Sequence, residues 1–343
     1  MSHSYILFPL AIAAALTVSA AGISQPGLSS GPGARYATDA YPGFDNADGV
    51  IRPSKKTPRW FQWLNGPKMT DAESQFAWAG ELERDGSASS ARSAYDALVR
   101  NWPTAAEAPK AQLKVAELAF AEGDTYEAFE EYRYLLDFYS SVCDYNAVVA
   151  KMYDVAERMR EEGKTIVFFR FDNTVDVRRA YESLVLRAPG AAFVPAAMLT
   201  IASLREDEGK LQVAVTVYEN LRNLYPASAE AREAMRREGR VRMELLRELG
   251  YNRSRVQDTV DFLKLGLRGD LSAEAREEFE AALAEAEGLI ADEAWKSAKF
   301  YDSATRTRRS AINAYERYLE VFPDGAHADE ARARLDVLKG AVK

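Results

Sequence analysis

One spacing constrains this chain more than any other. Gly86, Ala91, Tyr95 and Leu98 stand at steps of five, four and three residues, and the series returns as Gly123, Ala128, Tyr132, Leu135 and as Gly209, Ala214, Tyr218, Leu221. The register extends to both sides. Ala79, Ala116 and Ala202 each lie seven residues before their glycine, and Pro103, Ser140 and Pro226 each lie five after the leucine. Glycine closes a helix because it takes a positive φ without steric cost, and Pro or Ser marks the next stop. Each block therefore predicts a helix, a tight turn and a second helix. The two alanines fall where the paired helices cross, since larger side chains would push the axes apart. Tyr and Leu, three residues apart, share the face that packs against the neighbouring pair.

Weaker copies extend the series. Val177, Tyr181, Leu184 and Pro189 keep the steps without the glycine, and Ala311, Tyr315, Tyr318 and Pro323 keep the second-helix half. A further unit is expected from Glu230 to Gly250 and Ser254 to Leu267, with Phe262 and Leu265 preserving the aromatic step. The terminators Pro103, Ser140, Pro189, Pro226 and Pro323 are 37, 49, 37 and 97 residues apart, the last interval long enough for two extended units. The final stretch, "AHADEARARLDVLKGAVK", reads as a helix capping the open end. The expectation is an all-α solenoid of about five to six helix pairs over residues 70–343, with a C-terminal capping helix. A composition of 47% hydrophobic and 28% charged residues, rich in Ala, Glu, Arg and Leu, supports helix throughout.

The N-terminal part is of another kind. "MSHSYILFPLAIAAALTVSAAG" holds an apolar run from Ile6 to Val18, with Val18 and Ala20 placed for a cut before Ala21. The run falls short of the roughly 20 apolar residues that span a bilayer. No Lys or Arg precedes it. A cleaved signal peptide, residues 1–20, is the favoured reading, with an uncleaved anchor and a buried helix as alternatives. Residues 21–58, dense in Gly, Pro, Ser and Asp, form a disordered linker whose r.m.s. span would be roughly 35 Å. "RWFQWLNG" opens an aromatic N-terminal cap, residues 59–69, in which Trp60, Phe61 and Trp63 either pack on the first helix or meet a partner.

The repeat resembles the tetratricopeptide pattern: a small residue in the first helix, Gly at the turn, Ala then an aromatic in the second, and Pro after it. The joining phrases, such as "ALVRNWPTAAEAPKAQLKVAELAFAEGDTYEAFEEYRYLLDFY" and "SAKFYDSATRTRRSAINAYERYLEVFPDGAHADEARARL", look like those of the outer membrane assembly lipoprotein BamD and its relatives, over roughly residues 70–338. That resemblance implies a non-catalytic periplasmic scaffold, peripherally associated with the outer membrane. It would dock a BamA-like β-barrel assembly protein and unfolded outer membrane proteins. One departure is plain. The family is anchored by a lipidated cysteine directly after its signal peptide, whereas Ala20, Ala21 and Gly22 occupy that region here and show no lipobox cysteine. Another exported tetratricopeptide adaptor, for envelope division or peptidoglycan coordination, is the alternative. Adaptors of the Tol-Pal-associated kind carry an N-terminal coiled coil, and residues 22–69 show no heptads.

Reactive chemistry finds little material. A formal charge of -8 disfavours nucleic acid as a partner. The single cysteine, Cys143, allows neither an intramolecular disulfide nor a cysteine metal cluster, and reads as a small apolar filler at a helix start. The two histidines are His3 and His327, the latter expected on the surface. No metal or cofactor is expected, and the carboxylates of "EAREEFEAALAEAEG" read as a wetted helix face.

Binding is the remaining class of function. On the first helices Phe76, Leu113, Phe120 and Leu199 fall near groove-facing positions beside Glu83, Glu117 and Glu206, and suit an extended apolar client. "TIVFFRFDNTVD" is the one β-like run, whose Phe168, Phe169 and Phe171 either pack between repeats or contact a partner. In "AREAMRREGRVRMELLRELGYNRSR", Arg237 and Arg240 belong either to a solvated helix or to a docking face for an acidic partner or lipid head groups.

Overall fold

The computed structural model describes residues 66–165, 174–303 and 308–340. Residues 1–58, where a signal peptide and a linker are expected, residues 59–65 of the expected cap, and Phe168, Phe169 and Phe171 lie outside the described residues. Within them there are thirteen α-helices and no strand: α1 (Ala72–Arg84), α2 (Ala88–Asn101), α3 (Ala108–Glu122), α4 (Thr125–Tyr139), α5 (Tyr145–Thr165), α6 (Thr174–Arg187), α7 (Val194–Asp207), α8 (Leu211–Leu224), α9 (Ala229–Leu249), α10 (Arg253–Leu267), α11 (Ala273–Ser303), α12 (Arg308–Val321) and α13 (Ala328–Gly340). The fold is all-α and tetratricopeptide-like, with six helix pairs and a last single helix. The helices fall in two compact units, one ending at Ile201 and the other starting at Ala202, within α7.

The turn chemistry is uniform where the glycine register is complete. Gly86, Gly123 and Gly209 have φ of 78°, 88° and 70°. In each case the residue after the glycine donates its N–H to the carbonyl five positions back: Ser87 to Leu82, Asp124 to Ala119 and Lys210 to Arg205, at 2.8 to 3.0 Å. This is the Schellman arrangement, which satisfies carbonyls left over at a helix end and reverses the chain at once. A residue with a Cβ would be strained at that φ.

In the first unit each helix packs on its sequence neighbours, α1 on α2 through to α5 on α6. Stacking of this nearest-neighbour kind is how helical repeats bury a core that no single pair could enclose. Ala79, Ala91, Ala116 and Ala128 are fully buried, as are Leu98 and Leu135, and Tyr95 and Tyr132 are each 2% exposed. Burying such a side chain contributes about 1.5 to 3 kcal/mol before entropy is counted. The degenerate third pair follows suit, with Val177, Tyr181 and Leu184 inside.

Two buried amides tie the first pairs together. Gln75 Nε2 on α1 donates to the Ala94 carbonyl on α2 at 3.0 Å, and Gln112 Nε2 on α3 donates to the Glu131 carbonyl on α4 at 2.9 Å. Gln75 Oε1 also accepts from the Lys68 and Met69 N–H groups, both at 3.0 Å, fixing the chain as it enters α1. These glutamines repeat at the interval that separates Pro103 from Ser140.

The second unit contains Ala202, Ala214, Tyr218 and Leu221, all fully buried, and two further core clusters. One gathers Met243, Leu246, Val256, Val260, Phe262, Leu263 and Phe279 from α9, α10 and α11; the other gathers Trp295, Tyr315, Tyr318, Leu335 and Leu338 from α11, α12 and α13. The first is built around glycine rather than alanine. Phe279 sits so close to α10 that a Cβ on Gly266 would lie 2.4 Å from its ring, and one on Gly239 of α9 would lie 3.0 Å away. That seat rotates α10 so that Val256, Thr259, Leu263 and Gly266 face inward. Leu265, expected to keep the packing step, is 55% exposed instead. His327 also departs from expectation: its ring stacks on Trp295 at 4.7 Å with 8° between planes.

The Gly266–Phe279 contact makes a prediction. Gly266→Ala should destabilise the second unit by about 1 to 3 kcal/mol through overpacking, despite alanine's better helix propensity. Gly239→Ala should cost less, and Phe279→Leu should offset much of the Gly266→Ala effect. Chemical denaturation followed by circular dichroism reads all three; a stabilised Gly266→Ala protein would contradict the packing.

Candidate functional site

The turns at Gly86 and Gly209 also place an acid. Glu83 and Glu206 lie three residues before Gly86 and Gly209, and twelve before Tyr95 and Tyr218. In the first unit, Tyr95 donates its hydroxyl to Glu83 at 3.0 Å, and Lys114 of the next first helix reaches the other carboxylate oxygen at 2.8 Å. In the second unit, Tyr218 donates to Glu206, which also receives Arg240 at 2.8 Å. Variations on this trio recur: Tyr181 donates to Glu157 at 2.6 Å, and Tyr315 to Asp302 at 3.0 Å, where Arg334 binds in two-pronged fashion at 2.7 and 2.9 Å. A buried tyrosine of the second helix, an acid of the first and a nearby base thus form a polar rung.

The rungs of the first unit connect. Lys114 also approaches Glu117 at 3.8 Å, and Glu117 receives Lys151 at 2.9 Å, so charges alternate along α1, α3 and α5. The lysines remain reachable, with side chains 36% and 45% exposed. In the second repeat the position three before the glycine holds Phe120 instead of an acid, and the Arg158 guanidinium lies 5.5 Å from its ring centre, within cation–π range. Tyr132 makes no hydrogen bond to a carboxylate among the described residues, although the charges of Glu117 and Asp154 act on it.

Electrostatics follow from these contacts. The hydrogen bond and charge of Lys114 hold the Glu83 carboxyl below its ordinary value, and Arg334 does the same for Asp302. Burial first, and the facing carboxylate second, push the hydroxyls of Tyr95, Tyr181 and Tyr218 up; Tyr315 is raised to about 12. These shifts move the phenols away from ionisation at neutral pH, the opposite of what activating a nucleophile requires. Among the described residues no group of three His, Cys, Asp or Glu is arranged for a metal ion, and no helix is long and apolar enough to cross a membrane.

The residues singled out in the sequence divide between this surface and the interior. Phe76, Leu113, Phe120 and Leu199 are all half-buried. Phe76 leans on Tyr95 with ring centres 5.3 Å apart, so its outer edge borders the Glu83 rung. Arg237 pairs with Glu233 at 2.6 Å, and Arg240 belongs to the Glu206 rung. Of the basic stretch, Arg242 reaches inward with Arg222 to Glu238, which is fully buried, and Arg247 joins Glu285 at 2.7 Å. The tyrosine–acid pairing escaped the sequence reading because Tyr was assigned to packing alone. Its signal was the common offset of Glu83 and Glu206 from their glycines.

Residues 196–228 match the tetratricopeptide repeat, the segment that carries Ala202, Gly209, Ala214, Tyr218 and Pro226. The chain bears a tetratricopeptide repeat. No curated protein sequence matches it. Among solved structures, it is similar to a tetratricopeptide repeat protein from Parabacteroides merdae (12% identity, 78% of this chain and 98% of that one, TM-score 0.30). It is similar also to pilF of Pseudomonas aeruginosa (13%, 77% and 97%, TM-score 0.26) and to a putative kinesin light chain from Podosopora anserina (13%, 62% and 98%, TM-score 0.30). Likenesses of this depth leave function to the chain's own residues.

Two measurements probe the rungs. Tyr218→Phe should cost about 1.5 kcal/mol, as for a hydrogen bond to a charged group, and Tyr132→Phe less than about 0.5 kcal/mol because its hydroxyl makes no hydrogen bond to a carboxylate. Equal costs would remove the distinction. Because Glu83 and Asp302 have lowered folded values, their contribution is present above the ordinary values of 4.5 and 3.8 and disappears as pH falls through the folded ones. Melting temperature should therefore drop below about pH 4.5, less steeply in Glu83→Gln.

Proposed function

We propose that this protein is a non-catalytic, BamD-like scaffold of the cell envelope that holds an extended apolar or aromatic segment of an unfolded barrel protein along the first helices of its first unit, while docking a BamA-like partner. The observation that carries the reading is the connected surface from Glu83 to Lys151, where alternating charges border the half-buried rings of Phe76 and Phe120. An extended chain offers a row of amide groups and a side chain at every second position. The rings can take the side chains, and the paired charges set the border of the groove. Stacked helix pairs provide such surfaces without a catalytic group. The periplasmic setting rests on the N-terminal apolar run and on the joining phrases between repeats.

The partner test is recovery from the native envelope in mild detergent: a β-barrel protein with tandem periplasmic domains should accompany this chain. Recovery of cell-wall synthases in its place would replace the assembly reading with the adaptor one. The client test uses a photo-reactive peptide copied from a barrel strand. It should label residues within 70–210, and Phe76→Ser with Phe120→Ser should reduce labelling at least severalfold at unchanged helicity. Labelling confined to other residues would count against the groove.

A further inference from the structure

The second unit holds a cavity of about 740 Å³ beside α11 and α12, to which the groove described above contributes nothing. Its wall has an apolar and a cationic part. Tyr251, Tyr301 and Val321 are 40%, 45% and 59% exposed, and Phe322 is half-buried beside them. Apolar surface gathered around a concavity is the usual mark of a binding site, and the volume lies within the range of ligand pockets. Arg253 and Arg317 stand in the same wall, both exposed and both without a carboxylate partner among the described residues. In the same unit Arg236, Arg240, Arg247 and Arg334 are each engaged by Glu or Asp. Glu293, the acid of this wall, lies 3.8 Å from Lys296. The cavity is therefore cationic within a chain whose net charge is -8.

We propose that this cavity is a docking site for an acidic peptide segment of a partner protein, in which a bulky apolar side chain enters between Tyr251, Tyr301 and Phe322 while flanking carboxylates engage Arg253 and Arg317. Guanidinium groups suit carboxylates because their planar donors match two oxygens at once. A simple anion would use the arginines and leave the aromatic wall wet, and a purely apolar ligand would leave the arginines unused. A segment carrying both features matches both parts of the wall. The site is separate from the client groove of the first unit and does not depend on that reading.

The test uses the full chain and a fluorescein-labelled dodecapeptide of Gly and Ser with a central Phe flanked on each side by two Glu, read by anisotropy. Binding should occur and weaken with added salt. The Arg253→Glu, Arg317→Glu double variant should lose about tenfold or more in affinity. Ala314→Trp, which fills the cavity from its wall, should lose binding by a route independent of charge. A peptide with Lys for Glu, or Gly for Phe, should bind much more weakly, and Phe120→Ser should leave affinity unchanged. No binding by the parent, equal affinity for the Lys peptide, an unaffected double variant, or loss on Phe120→Ser would each overturn the proposal. A parent that binds this peptide yet recovers no barrel protein from the envelope would retire the assembly reading and keep this site.

Discussion

The close approach of paired helices is the condition on which everything else in this protein rests. Ala79 with Ala91, Ala116 with Ala128, and Ala202 with Ala214 are all fully buried, and a larger side chain at any of them would separate the axes. Only at that short distance does the tyrosine four residues on reach across its pair. Tyr95 then covers apolar surface with its ring and meets Glu83 with its hydroxyl. A single side chain thereby closes the core and fixes an acid at the surface. Small residue, aromatic and acid form one device.

This coupling explains which parts could be read from the residues and which could not. The alanines, turn glycines and tyrosines of the three full blocks follow from steric rules that act within a few positions, so their burial was legible as a period. Polar pairing needs two helices in register. Glu83 and Glu206 could be placed beside the groove, but their union with Tyr95 and Tyr218 depends on how far each second helix slides along the first. The third pair lacks the register glycine, and the fifth keeps Gly250 but has Arg255 and Thr259 where the alanine and tyrosine would stand, and there legibility declines. Leu265 looked like a packing residue by its offset from Phe262, yet α10 takes its rotation from Phe279, which lies on another helix and far along the chain. No local period contains that contact. His327 was invisible for the same reason, since Trp295, its stacking partner, belongs to a different helix.

The second unit solves the packing problem by another route, with consequences for its charges. Gly239 and Gly266 leave room for the Phe279 ring, which draws α9, α10 and α11 together. Between them Glu238 is fully buried against Arg222 and Arg242, and both guanidiniums lie over the Phe262 ring at 5.1 and 4.7 Å. Burial pushes the Glu238 carboxyl up, and the two arginines oppose it. Replacing one member would strand a buried charge, at about 3 to 5 kcal/mol, whereas an apolar triad of equal volume could be as stable. The stability of these helices therefore rests on their apolar packing rather than on the net worth of the triad.

A surface built this way constrains function by what its charges are already doing. Arginines that look in the sequence like a basic docking face are mostly spent within their unit: Arg242 on Glu238, Arg236 and Arg237 on Glu233, Arg240 on Glu206 and Arg247 on Glu285. A charge so engaged gives little to a partner, because a new contact must first displace the old one and desolvate both groups. Affinity must then come from surface that folding has left unsatisfied. In the first unit that is the outer edge of Phe76 and Phe120 between half-exposed lysines; in the second it is the aromatic cavity with Arg253 and Arg317 at its wall. The two surfaces differ in chemistry, one alternating in charge and the other cationic and aromatic. On the readings proposed above, each surface therefore suits a different kind of partner.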